Sequence, residues 1–237
     1  MKICFFIIKE ELISLIFILF LIFPISSIFY ILLNNYKKTS GKYKIAEKNG
    51  KGIEYILNGF RMIFEGEYLN GKRNGKGKEY YNNGKLKFEG EYLNGKKWNG
   101  KGYNKDGKVD YEIKEGNGKL KEYYYEGELE FEGEYKNGER NGKGKEYYDE
   151  GKLKFEGEYL NGERNGEGEE YYQNGELKFE GEYSNDERNG KGKEYYSNGT
   201  LKFEGVYSND KRNGKGKQYD KKGNVIYEGE YYNDKRK

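Results

Sequence analysis

The sequence lacks histidine altogether, and its 237 residues include one cysteine and one proline. Without histidine there can be no Ser–His–Asp triad, no Cys–His dyad and almost no transition-metal site. The single cysteine, Cys4, cannot form an intramolecular disulfide. We therefore expect a protein that is not an enzyme, with no catalytic residue, no cofactor and no bound metal.

Aliphatic residues are scarce after position 40, whereas the chain holds 36 Gly, 27 Tyr and 13 Phe. Charged residues make up 36 %, a composition shared with disordered chains, but an aromatic content of 17 % argues for a core built from rings. The first 39 residues contain four Lys and two Glu, which leaves 40 basic and 39 acidic side chains. This balance lacks the basic excess that nucleic-acid binding requires.

A long uncharged run, 12–33, precedes this composition. As a helix it would reach about 33 Å, enough for a bilayer core of about 30 Å. The run predicts a transmembrane signal-anchor helix, with residues 1–11 as its flank and 34–40 as a juxtamembrane linker. Two alternatives stay open: a signal peptide cleaved near Ser26 or Ser27, favoured by Pro24 and the two small residues, and a buried helix.

The lysines around this run predict its orientation. Lys2 and Lys9 precede the run, whereas four lysines follow it closely: Lys37, Lys38, Lys42 and Lys44. The positive-inside rule then places the remainder of a single-pass membrane protein in the cytoplasm. The alternative is a secreted or cell-envelope protein.

The remainder is repetitive. The segment Phe-Glu-Gly, or a degenerate copy of it, recurs at a nearly constant spacing that shortens slightly before Tyr111 and more before Phe131. Its positions are Phe64, Phe88, Tyr111, Phe131, Phe155, Phe179, Phe203 and Tyr227. A fixed period marks a repeat architecture. We expect about eight hairpin repeats over residues 41–237, degenerate at 98–130, and about sixteen strands in one sheet.

One unit, 153–176, divides into two alternating runs separated by Asn-Gly signals. In 153–176 a period of two places Phe155, Gly157 and Tyr159 on one face and Glu156 and Glu158 on the other. Lysines of the next run can face these glutamates and fix the register. The predicted fold is an all-β, elongated, twisted, single-layer antiparallel meander of tandem hairpins, preceded by one hydrophobic helix.

Glycine recurs on the aromatic face, where it would leave room for a ring from the adjacent strand. The candidate structural or interaction residues are these aromatics and glycines: Phe88, Gly90, Tyr92, Phe131, Gly133, Tyr135, Phe155, Gly157, Tyr159, Phe179, Gly181, Tyr183, Phe203, Gly205 and Tyr207. Their face could form a core or a dimer contact, bind a partner, or contact lipid headgroups.

Three other patterns have simpler explanations. The carboxylates of Glu156 and Glu158 lie within glycosidase range, but such pairs recur as a charge ladder. The stretch 189–193 resembles a phosphate loop without the helix that such loops need, so it is a turn. Residues 104–112 resemble a calcium loop only in part, and they indicate an irregular repeat that, with Trp98, bends or offsets the array.

The run Phe88-Glu89-Gly90-Glu91-Tyr92, followed by Asn94-Gly95, closely resembles the MORN (membrane occupation and recognition nexus) repeat. So does 141–144 before Tyr147 and Tyr148, and the resemblance extends over 41–237. The unit is one residue longer than is usual in the family, and Glu79, Glu146, Glu170 and Glu194 stand where a second ring is common. This variant also resembles repeats of a bacterial antitoxin-like family.

The resemblance implies a scaffold, often dimeric, that acts at membranes and in protein assembly. We therefore expect a membrane-anchored, non-catalytic scaffold that presents an extended surface to unknown protein partners. A homodimer and direct lipid-headgroup binding by the repeats are further expectations. The alternative is an exported or cell-envelope binding protein with a cleaved signal peptide, similar to the antitoxin-like variant.

Retention of residues 12–33 as an anchor predicts that protein purified from native membranes keeps its hydrophobic N-terminus. Intact-mass analysis checks this. A mature chain that begins near Ser27 would instead support the exported form.

Overall fold

The structure is a computed structural model that describes residues 36–39, 42–46, 48–56 and 61–237. Among these residues are nineteen strands. Their bounds are β1 (Tyr36–Thr39), β2 (Lys42–Ala46), β3 (Gly50–Ile56), β4 (Arg61–Leu69), β5 (Lys72–Tyr80), β6 (Leu86–Leu93), β7 (Lys96–Tyr103), β8 (Val109–Ile113), β9 (Gly118–Tyr123), β10 (Leu129–Lys136), β11 (Glu139–Tyr147), β12 (Leu153–Leu160), β13 (Glu163–Tyr171), β14 (Leu177–Ser184), β15 (Glu187–Tyr195), β16 (Leu201–Ser208), β17 (Lys211–Tyr219), β18 (Val225–Tyr232) and β19 (Lys235–Arg236).

The all-β meander is confirmed, since each strand pairs antiparallel with the strands before and after it in its sheet. The sheet starts at Tyr36, inside the segment 34–40 that we expected to be a linker. The hydrophobic helix predicted for 12–33 lies outside the described residues. Within the described part of the chain, no helix is long and apolar enough to cross a membrane.

The expected single sheet is wrong, because the strands form two sheets, β1–β8 and β9–β19. The break falls between β8 and β9, where pairing is reduced to one isolated bridge between Lys114 and Asn117. The hairpin from Tyr111 to Glu122 is four residues shorter than the regular hairpin from Phe155 to Glu170. β8 therefore pairs only with β7, and β9 only with β10. This is the irregular stretch that the sequence predicted would offset the array.

Contacts across the break hold the two sheets together. The amide of Gly116 donates to the Trp98 carbonyl at 2.8 Å, and the amide of Gly138 donates to the Gly116 carbonyl at 2.8 Å. Lys96 forms an ion pair with Glu139 at 2.6 Å. The turn of the short hairpin is therefore hydrogen-bonded to the neighbouring turns, although β8 and β9 are joined by only one bridge.

Two kinds of turn alternate along the array. In the first, Asn161 and Gly162 both have positive φ, as a two-residue hairpin turn requires. The amide of Gly162 donates to the Arg140 carbonyl of the preceding hairpin at 2.9 Å, so consecutive turns are hydrogen-bonded. In the second kind, only the glycine has positive φ, as at Gly175.

Paired strands carry two glycines that face each other. Gly157 of β12 lies opposite Gly168 of β13. A Cβ on Gly157 would lie 2.7 Å from Cζ of Phe155 and 2.8 Å from Cα of Gly168. The ring over Gly157 therefore comes from its own strand, whereas we expected the adjacent strand. The ring of Phe155 also lies against Gly168, which belongs to the neighbouring strand.

Gly157→Ala should lower the free energy of unfolding by about 1–3 kcal/mol, because backbone and ring must both move to admit the methyl group. Leu160→Ala is the matched control, since Leu160 is 49 % exposed and its loss should cost less than about 0.5 kcal/mol. Urea unfolding followed by circular dichroism measures both. Equal stability of the two variants would contradict the close glycine packing.

Candidate interaction surfaces

The first surface, which we call the ring face, carries the core. Its phenylalanines are 0 % exposed. Phe155 contacts Tyr159 and Tyr183 edge to face, with ring centroids 5.7 and 5.2 Å apart. The same edge-to-face pattern recurs from Phe64 to Tyr231 with one exception: Phe88 stacks on Tyr111 at an interplanar angle of 19°. Such pairs are favourable beyond their buried area.

An arginine covers every buried phenylalanine of the described array except Phe88 from the solvent side. Arg164 follows the Asn161–Gly162 turn, which folds its strand back so that its guanidinium lies 4.1 Å from the Phe155 centroid. The same arrangement occurs five more times among the described residues, with a closest approach of 3.8 Å at Arg73 over Phe64 and a widest of 4.9 Å at Arg236 over Tyr227. Cation–π contact and shielding by the arginine stem close the core without a second layer.

A glutamate of the preceding hairpin holds this arginine in place. Glu146 accepts hydrogen bonds from Arg164 at 2.7 Å and from Tyr159 at 2.8 Å, and Lys154 lies 3.4 Å away. Burial alone would raise the pKa of Glu146, but the hydrogen bonds and positive charges of Arg164 and Lys154 hold that pKa at about 2. The carboxylate therefore links two hairpins as a charged group.

Two units depart from this arrangement. At the sheet break Lys97 replaces the arginine, and it lies 3.1 Å from Glu79, which also binds Arg73 at 2.5 Å. Lysine and arginine charges hold the pKa of Glu79 at about 2 against the effect of burial. At the C-terminal end Gln218 replaces the glutamate and accepts hydrogen bonds from Tyr231 and Arg236 at 3.0 Å each.

The candidate residues named from the sequence all belong to this core. The phenylalanine and tyrosine side chains among them are buried, and the glycines lie beneath the rings. The rings of this face pack against one another within the chain. What the face offers to solvent is the layer of arginine, lysine and glutamate above the rings.

The opposite surface, which we call the ladder face, carries the predicted cross-strand charges. Lys145 lies 3.0 Å from Glu156, and Lys193 lies 2.9 Å from Glu180. Equivalent pairs occur in both sheets, as at Lys78 and Glu89. These half-exposed pairs contribute little stability each, but they oppose a register slip.

A further row on the ladder face was not predicted. Tyr147 lies directly opposite Leu153, and a bulge at Lys154 turns that lysine to the ring face and Leu153 to the ladder face. Two of the tyrosine side chains in this row reach the preceding strand. Tyr147 donates to Glu132 of β10 at 2.7 Å, and Tyr195 donates to Glu180 of β14 at 2.7 Å. We call this row the Tyr–Leu stripe: Tyr147, Leu153, Tyr171, Leu177, Tyr195, Leu201 and Tyr219, all half-buried.

One hairpin breaks the charge ladder. β13 carries Glu167 and Glu169 where the equivalent strands carry lysine, so Glu169 lies opposite Glu156 on one side and Glu180 on the other. Glu167 lies opposite Glu182. We call the resulting cluster the acidic segment: Glu156, Glu158, Glu167, Glu169, Glu180 and Glu182.

The acidic side chains of the described strands and turns form no candidate metal site. In residues 48–56 and 61–237 no group of three or more His, Cys, Asp or Glu side chains could hold a metal ion. Asn104 binds the amides of Asp106 and Lys108 at 3.0 Å each, which closes the calcium-like stretch as a turn.

These hairpins match known family models along the chain. The MORN repeat model matches 64–85, 131–152, 155–176, 179–201, 203–225 and 227–237, which is more than half of the chain. The chain belongs to the MORN repeat family. The MORN repeat variant model matches 116–137, which contains the short turn and β9. No curated protein matches the chain in a sequence search.

The structure explains why glutamate stands in these MORN repeats where a second ring is common. Glu146 replaces ring packing by a link to Arg164 and Tyr159 on the ring face, and Glu194 binds Arg212 and Tyr207 in the same way. Glu170 binds Arg188 and Lys178. Two recurring motifs were a sequence signal for this link: Glu-Tyr-Tyr, as at 146–148, and Arg-Asn-Gly, which begins at Arg73, Arg140, Arg164, Arg188 and Arg212. We did not predict this link, because the two motifs were assigned to separate strands.

Acid should weaken the array, since Glu146 has a lower pKa folded than its usual 4.5. This stabilisation is present above about pH 4.5 and is lost as the pH falls towards 2. Glu146→Gln should cost on the order of 3 kcal/mol at pH 7 and almost nothing at pH 2, by urea unfolding at each pH.

Gln218→Glu is the matched control, because it restores a carboxylate between Tyr231 and Arg236. It should add stability at pH 7 and add none at pH 2. If the effect of Glu146→Gln were the same at both pH values, the carboxylate would not carry the link.

Proposed function

We propose that this MORN repeat protein is a membrane-anchored, non-catalytic scaffold whose array presents an extended surface to protein partners. A repeat-based binding or scaffold role follows from the family. The anchor, formed by residues 12–33, and the cytoplasmic position of the array rest on the hydropathy and lysine pattern of the sequence alone.

The observation that carries the proposal is the burial of the rings. Because Phe155 and its equivalents are 0 % exposed and covered by arginine, one layer of hairpins is stable without a partner layer. The ladder face, the arginine layer and the two rows of turns are then free for recognition. A repeat that needs no second layer suits a long surface.

Protein partners fit this surface better than lipid headgroups do. In the described residues the ladder face alternates lysine with glutamate, and the acidic segment would repel anionic lipids. Direct lipid binding by the array is the weaker form of the proposal. An exported binding protein is the second candidate, favoured by Pro24 and the two serines that follow.

Proximity labelling from the C-terminus in native membranes tests the scaffold role and the topology together. We expect the full chain to label a defined set of cytoplasmic proteins. Deletion of residues 153–224 joins Lys152 to Val225 in phase and removes three units, so the array should fold but lose those neighbours.

Deletion of the single unit 177–200 is the control for the effect of joining units, and it should keep part of the labelled set. If the three-unit deletion labelled the same proteins as the full chain, an extended recruiting surface would be excluded. Labelling of lumenal or extracellular proteins would favour the exported candidate.

A further inference from the structure

The acidic segment and the Tyr–Leu stripe lie side by side on the ladder face between β11 and β15. Tyr171 and Leu177 of the stripe follow Glu169 and precede Glu180 along the chain. Tyr171 donates a hydrogen bond to Glu169, and Tyr195 donates to Glu180. An apolar row therefore borders a row of carboxylates over several adjacent strands.

Within the array this region is electrostatically unusual. In the other regular hairpins a lysine lies between two glutamates of the neighbouring strands, as Lys193 lies between Glu180 and Glu204. Here Glu169 takes the place of that lysine, and like charges directly opposite each other are destabilising. The neighbouring lysines, Lys145 and Lys193, each bind only the outermost glutamate.

The carboxylates flank an open groove. Its floor is the backbone of facing glycines such as Gly157 and Gly168, and its two sides are the rows of charged residues. The groove has a volume of about 1630 Å³ and extends from Asp110 of β8 along the second sheet to Glu230 of β18. An occupant that lies along it would cross strand after strand.

We propose that this part of the ladder face docks an amphipathic helix of a partner protein. The apolar side of the helix lies on the Tyr–Leu stripe, and a lysine- or arginine-rich flank lies over the acidic segment. The inference rests on the proposed scaffold function and names the class of partner.

The spacing of the stripe suits a helix. Tyrosines recur on every second strand, about 9.6 Å apart at a strand spacing of about 4.8 Å. Helix positions seven residues apart recur at about 10.5 Å on one face. Successive apolar residues of a helix can therefore reach successive tyrosines, while the leucines fill the intervals.

Charge complementarity determines which charge the flank of the partner helix carries. A basic flank would supply the cations that β13 lacks, and long-range attraction to the carboxylates would speed association. Anionic membranes and nucleic acids meet repulsion at the same place. An acidic or uncharged helix would supply no cation to Glu167 and Glu169.

The test uses the full chain in micelles of an uncharged detergent and a dye-labelled peptide of three heptads, with leucine on one side and lysine along one flank. Fluorescence anisotropy measures binding, and protein-free micelles give the blank. The companion peptide carries glutamate in place of lysine. We expect the lysine peptide to bind at least about tenfold more tightly than the glutamate peptide, with affinity falling as salt rises.

Glu167→Lys combined with Glu169→Lys restores the lysines of the other units, so this variant should fold at least as stably as the natural chain. It should bind the lysine peptide about tenfold more weakly. Tyr171→Ser with Tyr195→Ser should also weaken binding, whereas Tyr171→Phe with Tyr195→Phe should retain it. Thermal unfolding confirms that each variant is folded.

Equal binding of the two peptides, or equal binding by the Glu167→Lys/Glu169→Lys variant, would overturn the proposed site. If labelling of native partners still depended on the array, only the class of partner would be wrong and the scaffold function would stand. If neither peptide binding nor labelling depended on the array, both proposals would fail.

Discussion

The structure depends on one contact, the phenylalanine ring that lies over two facing glycines. Gly157 and Gly168 must lack side chains because Phe155 occupies the space above both of them. The ring then contacts one tyrosine of its own strand and one of the next hairpin. Each hairpin is therefore incomplete until its neighbour supplies the second tyrosine, which is why the units stack.

The same contact explains the polar layer on the ring face. A ring in a single layer would be exposed on one side, and Arg164 removes that exposure by lying 4.1 Å from the Phe155 centroid. Buried arginine in turn needs an anion, which Glu146 supplies from the preceding hairpin. Ring, arginine and glutamate thus form one link, repeated with small changes, that joins three successive strands and leaves the ladder face free to vary.

The repeat units differ from one another in the residues of the ladder face. Replacement of two lysines by Glu167 and Glu169 leaves the ring-face link unchanged, because these side chains lie on the opposite surface. The short hairpin at Tyr111 instead interrupts the strand ladder, and the row of turns carries the connection across. A partner can distinguish one part of the array from another by such differences.

The sequence by itself determined the hairpins, their turns and the two faces. A nearly constant repeat period, Asn-Gly at many of the turns and alternation within each strand are local signals, and local backbone geometry obeys them. Membership of the MORN repeat family followed from the same signals. The candidate aromatics and glycines were also correctly grouped on one face, since alternation alone assigns them.

Only the tertiary structure decided what those residues contact. The bulge at Lys154, which brings Leu153 beside Tyr147 and Lys154 beside Glu146, depends on hydrogen bonds between strands and has no signal in a single strand. The arginine layer and the break between β8 and β9 likewise depend on neighbours in the adjacent hairpin, a separation in sequence at which strand periodicity carries no information. Sequence patterns determined the faces, and packing between hairpins determined the surfaces.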